Sequence, residues 1–286
     1  VGQLLIVAAL SGILVFVGWR DMFLWLGAVH ALFLAIIIPM IPGASAHDKA
    51  EAATAPRTGM TLLQSMRTRQ FWLLSGVFAI CGFDDFFVST HVVAFAQDRG
   101  VDTFLAGNLF AVMGLVGFLG VIVAGQWGDR AGPIVPTAVS FAVRTLCFGL
   151  LAIDQSTLSV TIFALVFGFT FMFTAPLAVL FVRESFGVLH LGAIAGLVTM
   201  IHHIFGGLGA WLGAAIFDQT GAYTAAFWTM AICSLAAFLL TLLMRRPAAN
   251  MSSSEVPGTE LDTCITKWPS RKSGMNVPPR NGSAAT

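Results

Sequence analysis

Charge is what this sequence has least of. Of 286 residues only 10% are Asp, Glu, Lys or Arg, while 57% are hydrophobic. A soluble domain carries about 25% charged residues, so a water-solvated fold is excluded and the chain reads as an all-α integral membrane protein. Cysteine is scarce too. Cys81, Cys147 and Cys233 lie in apolar stretches and Cys264 in a polar tail, with no paired spacing. That excludes a disulfide framework and a zinc pattern. The chain opens Val1-Gly2-Gln3, with no Met and no basic run before the first apolar stretch. That stretch is not a signal peptide; the expectation is a chain that starts inside a longer protein. A net charge of +1 says little; no nucleic-acid partner is expected.

Long apolar runs are abundant. Spanning a bilayer takes about 20 apolar residues. Eight stretches qualify or nearly so: 1–18, 22–41, 71–97, 103–127, 134–153, 157–182, 189–217 and 222–244. They are too long for strands of a barrel and lack its period-two alternation. Residues 42–69 break the pattern with Ala, Thr, Pro and charge, and read as a linker; residues 248–286 are Ser-, Pro- and Gly-rich and read as a disordered tail.

Lys and Arg set the orientation. With the linker in the cytoplasm, twelve of them fall inside, Arg20 and Arg99 fall outside, and Arg144 lies within a helix. The bias survives omission of every residue from Arg245 onward. An even helix count puts both termini inside.

One short segment between two of these runs carries a pattern. Gly125-Gln-Trp-Gly-Asp-Arg-Ala-Gly-Pro133 joins two apolar stretches, and its charged residues are Asp129 and Arg130. Helices joined this tightly are antiparallel neighbours. The segment resembles the G-x-x-x-D-R-x-G signature loop of the major facilitator superfamily of secondary transporters. Gly125, Asp129, Arg130 and Gly132 match; Pro133 stands where a basic residue usually follows, as in the looser copy after that family's eighth helix. Gly18-Trp-Arg20 looks like the family's link between helices five and six. The resemblance therefore implies helices five to twelve of a twelve-helix fold. Residues 1–41 would be the last two helices of the N-terminal half, 42–69 a cytoplasmic linker and 70–247 the C-terminal six-helix half. The first four helices would be missing.

Further segments are similar to the monocarboxylate-transporter-like and oxalate-formate-antiporter-like group. Phe86-Phe-Val-Ser-Thr-His91 with Ala94-Phe-Ala-Gln-Asp-Arg-Gly100 looks like its seventh helix. Glu184-Ser-Phe-Gly187, Gly206-Gly-Leu-Gly209 and Phe217-Asp-Gln-Thr-Gly-Ala-Tyr223 look like its tenth-to-eleventh helix region. Glycine pairs Gly192/Gly196 and Gly209/Gly213 are spaced to let helices approach closely.

Ionisable groups within membrane helices are costly and demand a reason. Asp84 and Asp85 fall about 20 Å along the third stretch at about 1.5 Å per residue, near or just past the midplane. Neighbouring aspartates diverge by about 100°, so one suffices to face a cavity. His91 follows two turns later, where it would serve proton relay or sit at the outer interface. Arg144 falls about 16 Å into its helix. It would bind a substrate carboxylate, pair with Asp84 or Asp85, or snorkel. In the resembled group the anion-binding arginine lies on the eighth helix, and residues 103–125 carry no charge. His202 and His203 lie mid-helix where oxalate-type relatives carry a lysine; one of them would meet the substrate, or both serve helix-to-helix bonds. Adjacent histidines diverge on a helix, so no metal is expected, and no cofactor. Asp129 with Arg130, and Arg183 with Glu184, are expected at cytoplasmic ends, as conformational latches.

These features imply a secondary transporter of the cell membrane. It would carry a small organic anion such as a monocarboxylate, coupled to protons or by exchange. Its partners would be the substrate, protons, the lipid bilayer and the missing N-terminal helices. The competing readings are a facilitator for a neutral or drug-like substrate and a truncated, non-transporting scaffold or sensor. An enzyme is not expected, because no H-x-x-x-H, H-E-x-x-H or Ser/His/Asp arrangement is present.

Overall fold

The structure, a computed structural model, describes residues 17–40 and 58–244. Most of the first apolar stretch, residues 42–57 and the tail lie outside the described residues. Within them are nine helices: α1 (Trp19–Met40), α2 (Leu62–Met66), α3 (Arg69–Asp98), α4 (Thr103–Ala131), α5 (Ile134–Ile153), α6 (Thr157–Phe171), α7 (Thr174–Phe186), α8 (Leu191–Thr220) and α9 (Thr224–Leu242). No named strand occurs among the described residues. Seven spans are long and apolar enough to cross a membrane, with α6 and α7 together making one of them. The protein is an all-α membrane protein, as its composition dictates.

The spans from α3 to α9 pack into one bundle. Lipid tails are as apolar as the side chains, so close van der Waals contact replaces the hydrophobic drive between helices. Glycine makes that contact possible along two seams. Between α3 and α8, a methyl at Gly82 would overlap the His202 carbonyl, and one at Gly209 would overlap the Phe83 carbonyl. Methyls at Gly206 and Gly213 would press on the Phe86 and Phe87 rings. Between α4 and α6, Gly120 meets the Phe169 backbone and Gly168 meets Met113. Gly192 and Gly196 have nothing within 4 Å of such a methyl, so of the two glycine pairs noted in the sequence only Gly209/Gly213 closes a seam between described helices.

Two apolar layers fill the bundle. One gathers Phe87, Phe95, Phe148, Phe163, Phe167 and Phe227. The other gathers Phe71, Phe78, Phe141, Phe181 and Phe186. Arg144 lies between a ring of each layer, Phe141 and Phe167.

Residues 157–182 read as one continuous run, but the helix breaks at Met172–Phe173. Pro176 explains it. It has no N–H to give Met172, and its ring clashes with that carbonyl in a continuous helix. At the third position of α7 the missing N–H costs nothing, because first-turn donors have no intrahelical partner.

The end of the linker is folded. Met60 N–H donates to the Phe186 carbonyl at 2.7 Å and Val188 N–H to the Thr58 carbonyl at 3.1 Å. Gly59 and Gly187 thus form an antiparallel bridge. Both have positive φ, 147° and 79°, and a Cβ on either would lie 2.6 Å from the other strand's atoms. Thr61 and Gln64 then close a capping box that starts α2.

Candidate functional site

Arg144 projects from α5 into the centre of the bundle, and its side chain is 0% exposed. Its Nη1 donates to Asp85 Oδ1 at 2.7 Å and to Cys81 Sγ at 3.7 Å. Its Nη2 donates to the carbonyls of Thr170 and Phe171, at 2.7 and 3.2 Å. Those two carbonyls lack their i+4 amide partners at the α6–α7 break; Thr170 O accepts from Phe173 N–H instead, at 3.2 Å. In an unbroken helix Phe171 O would accept from Ala175 N, which instead donates to Met172 O. The guanidinium lies between the Phe141 and Phe167 rings, at 5.5 and 5.0 Å from their centroids, and each ring belongs to a different apolar layer. Irregular backbone at membrane depth is tolerated when protein groups satisfy it; here an arginine does so.

Asp85 divides its oxygens. Oδ1 faces Arg144, while Oδ2 accepts from Cys81 at 3.3 Å and lies 3.6 Å from His202 Nε2. Cys81 Sγ is in turn 3.1 Å from Thr174 Oγ1, in the first turn of α7. Asp85 and Cys81 are one helical turn apart, so they share a face of α3. Asp84 points elsewhere. It is fully buried and accepts from Ser234 on α9 at 2.6 Å, while its other oxygen has no partner among the described residues.

The two histidines of α8 divide as well. The His202 side chain is 18% exposed and borders Asp85. His203 is exposed, and its Nδ1 is 2.8 Å from the Thr199 carbonyl. Phe86 packs edge-on against both rings. His91 lies about 10 Å further along α3 than Asp84 at about 1.5 Å per residue, in a separate network. Its Nε2 donates to the Ala210 carbonyl of α8 at 2.8 Å, and its Nδ1 accepts from the Tyr223 hydroxyl at 3.3 Å. The carbonyl can only accept, which fixes the tautomer.

The signature segment is mostly helix. α4 continues through Gly125, Asp129 and Arg130 to Ala131, and the turn itself is Gly132, with φ 76°, before Pro133 caps α5. Asp129 and Arg130 are exposed and bond to no described residue. A methyl on Gly125 would meet nothing within 4 Å. The close contact is made by Gly128, whose methyl would come within 3.0 Å of Leu177 and Leu180 on α7.

Cys81, Asp85 and His202 bring three ligand atoms within 4.8 Å of one another. Sulfur, oxygen and nitrogen form a donor set that zinc accepts. The neighbouring Arg144, already bonded to Asp85, opposes a second cation in so apolar a setting, and we assign the trio to hydrogen bonding. His203 is not part of this trio. Five members of the cluster escape a sequence reading, Thr174 among them with no signal of its own. Cys81 has a weak signal, one turn before Asp85. Thr170 and Phe171 contribute backbone, for which Pro176 is the clue. Ser234 has none.

A family model described as Major Facilitator Superfamily matches residues 1–210. The uncharacterized MFS-type transporter YcxA of Bacillus subtilis (strain 168) is 27% identical over 223 residues, covering 72% of this chain and 52% of that protein. Monocarboxylate transporter 13 of Rattus norvegicus is 30% identical over 183 residues, covering 63% and 43% respectively. The Bos taurus protein of the same name is 30% identical over 139 residues, covering 48% and 33%. The chain spans about half or less of the length of these relatives. With a matching family model over most of its length and seven spans of the expected kind, the chain belongs to the Major Facilitator Superfamily.

Proposed function

We propose that the whole protein carries a small organic monoanion, such as a monocarboxylate, across the cell membrane by alternating access, coupled to protons or by exchange. Residues 1–41 end its N-terminal half, 42–69 link the halves in the cytoplasm, 70–247 form the C-terminal half and 248–286 form a cytoplasmic tail. The observation that carries the reading is the Asp85–Arg144 pair, buried in an apolar bundle with His202 at its partly exposed edge. Such groups are costly in a membrane and recur on substrate and proton paths. One of His202 and His203 meets the substrate; Asp85 and Asp84 tune the charge behind them; His91 ties α3 to α8 towards the outer end. Gly125, Asp129, Arg130 and Gly132 act in the conformational cycle, meeting groups outside the described residues. The two monocarboxylate transporters among the relatives support the substrate class.

A neutral-substrate reading has one observation in its favour: Arg144 is fully enclosed, and four of its donor contacts are already filled. The test is uptake by the full-length protein in proteoliposomes, across labelled carboxylates and neutral sugars, with and without a proton gradient. Carboxylate uptake stimulated by inward protons is expected. Uptake of the neutral compounds alone would replace this reading with the second. The orientation has its own test. A cysteine at Ala53, in a background without the native cysteines, should resist an impermeant thiol reagent on intact cells.

A further inference from the structure

Arg144 bonds directly to two features of the bundle. One is the Asp85 carboxylate on α3, whose second oxygen faces His202. The other is the pair of carbonyls that do not meet their i+4 amides where α6 gives way to α7. Pro176 forces a fault in this span, but it deprives only Met172 of its donor. Nothing about Pro176 prevents Phe171 O from pairing with Ala175 N, or Thr170 O from pairing with Thr174 N. Ala175 N instead donates to Met172 O at 3.3 Å, and Phe173 N donates to Thr170 O at 3.2 Å. The break is therefore wider than proline alone requires, and the guanidinium occupies the two carbonyls that would narrow it. Thr174, the first residue of α7, is held to the same cluster through Cys81.

We propose that Arg144 is a positioning residue that holds the α6–α7 break open from its anchorage on Asp85, so that the charge on Asp85 sets the bend of this span. The guanidinium is planar, and its donors are fixed relative to one another. An anionic Asp85 grips Nη1, which aims Nη2 at Thr170 and Phe171. Loss of that contact removes the strongest of the four bonds. The guanidinium then shifts, and the two carbonyls return to the amides of Thr174 and Ala175. α7 thereby realigns with α6. At its far end, α7 carries Phe186 and Gly187, bonded to Thr58–Met60. The realignment therefore reaches the chain segment that precedes the six-span bundle. Titratable and charged groups facing Asp85 are Arg144 from α5, Cys81 and Asp84 from α3 and His202 from α8; α7 contributes the Thr174 hydroxyl. In this arrangement Arg144 touches no substrate.

Only the last link, from the bend to transport, rests on the proposed function. Hydrogen exchange tests the bend without any substrate. In the full-length protein in lipid nanodiscs, exchange is measured at the amides of Thr174 and Ala175 in wild type, Arg144→Gln, Asp85→Asn and the double variant. The double leaves no orphaned charge and serves if a single fails to insert. Tenfold slower exchange at these two amides in Arg144→Gln, in Asp85→Asn and in the double is the expected result. Unchanged or faster exchange in Arg144→Gln or in the double overturns the proposal. A change with Arg144→Gln but not with Asp85→Asn overturns the coupling. In proteoliposomes, the variants should lower maximal rate at least tenfold with KM within about twofold. A tenfold rise in KM at preserved maximal rate would make Arg144 a substrate ligand and overturn the assignment. Should wild type transport no carboxylate, the proposed function fails while the exchange result still decides the coupling.

Discussion

The chain holds two pairings of aspartate with arginine, and they could hardly differ more. Asp129 and Arg130 are neighbours in sequence, exposed, and bonded to no described residue. Asp85 and Arg144 are separated by 59 positions, buried and 2.7 Å apart. The first pair ends a helix at the membrane surface, where water solvates each charge and an ion pair is worth about 0–1 kcal/mol. The second pair is buried in the bundle. Each partner must satisfy the other or borrow from the backbone, and Arg144 does both. Sequence proximity thus says little about which charges interact. Distance from water decides how strongly they must.

Breaking the buried pair should give the largest effect. Arg144→Gln or Asp85→Asn should each lower stability by about 3–5 kcal/mol, because one charge is orphaned. The double variant should recover most of that loss. Thermal unfolding of the purified full-length protein in detergent measures it; two losses that simply add would mean the residues are not coupled.

Seam glycines come next. Gly209→Leu drives a side chain into the Phe83 carbonyl and should cost about 1–3 kcal/mol or more by overpacking. Gly192→Leu meets nothing within 4 Å and should stay within about 0.5 kcal/mol. Equal losses in the two variants would show that the seam relaxes freely.

Asp129→Asn sharpens the comparison from the other side. Its stability should stay within about 0.5 kcal/mol of wild type while transport slows. A loss of stability matching that of Asp85→Asn would erase the contrast between the pairs.

The smallest effect should come from Asp154, between α5 and α6. Hydrogen bonds from the Ser159 and Ser156 hydroxyls, then the Ser156 amide, hold its carboxyl below the usual carboxylate range of about 3.8. A folded-state pKa that is lowered stabilises the fold above the unfolded value and stops doing so as pH falls through the folded one. Asp154→Asn should therefore flatten the acid end of the stability profile slightly, below about pH 4, and leave neutral pH unchanged.

Much of the architecture was legible in the sequence because a bilayer admits few solutions. Runs of apolar residues become helices, since no other open structure satisfies the backbone in lipid. The bounds of α5, residues 134–153, can be read directly from composition. The split into α6 and α7 was harder to read. Apolar content continues through residues 157–182, and only Pro176 marks the fault. The signature segment looked like a loop because of its glycines, yet α4 runs through it. Residues 42–69 read only as a linker, yet Gly59 pairs with Gly187, 128 positions further on.

The sequence by itself determined the solvent, the approximate ends of the seven described spans, and which charged residues had to be explained. Those are local properties, fixed by how each segment partitions between water and lipid. Only the tertiary structure decided that Asp85 rather than Asp84 takes Arg144, and that Ser234 takes Asp84. It also decided that Gly209 closes a seam while Gly192 does not. Adjacent residues on a helix point about 100° apart, so which one meets a given partner depends on how the helices rotate and cross. That rotation is set by packing over the whole bundle, and no single segment contains it.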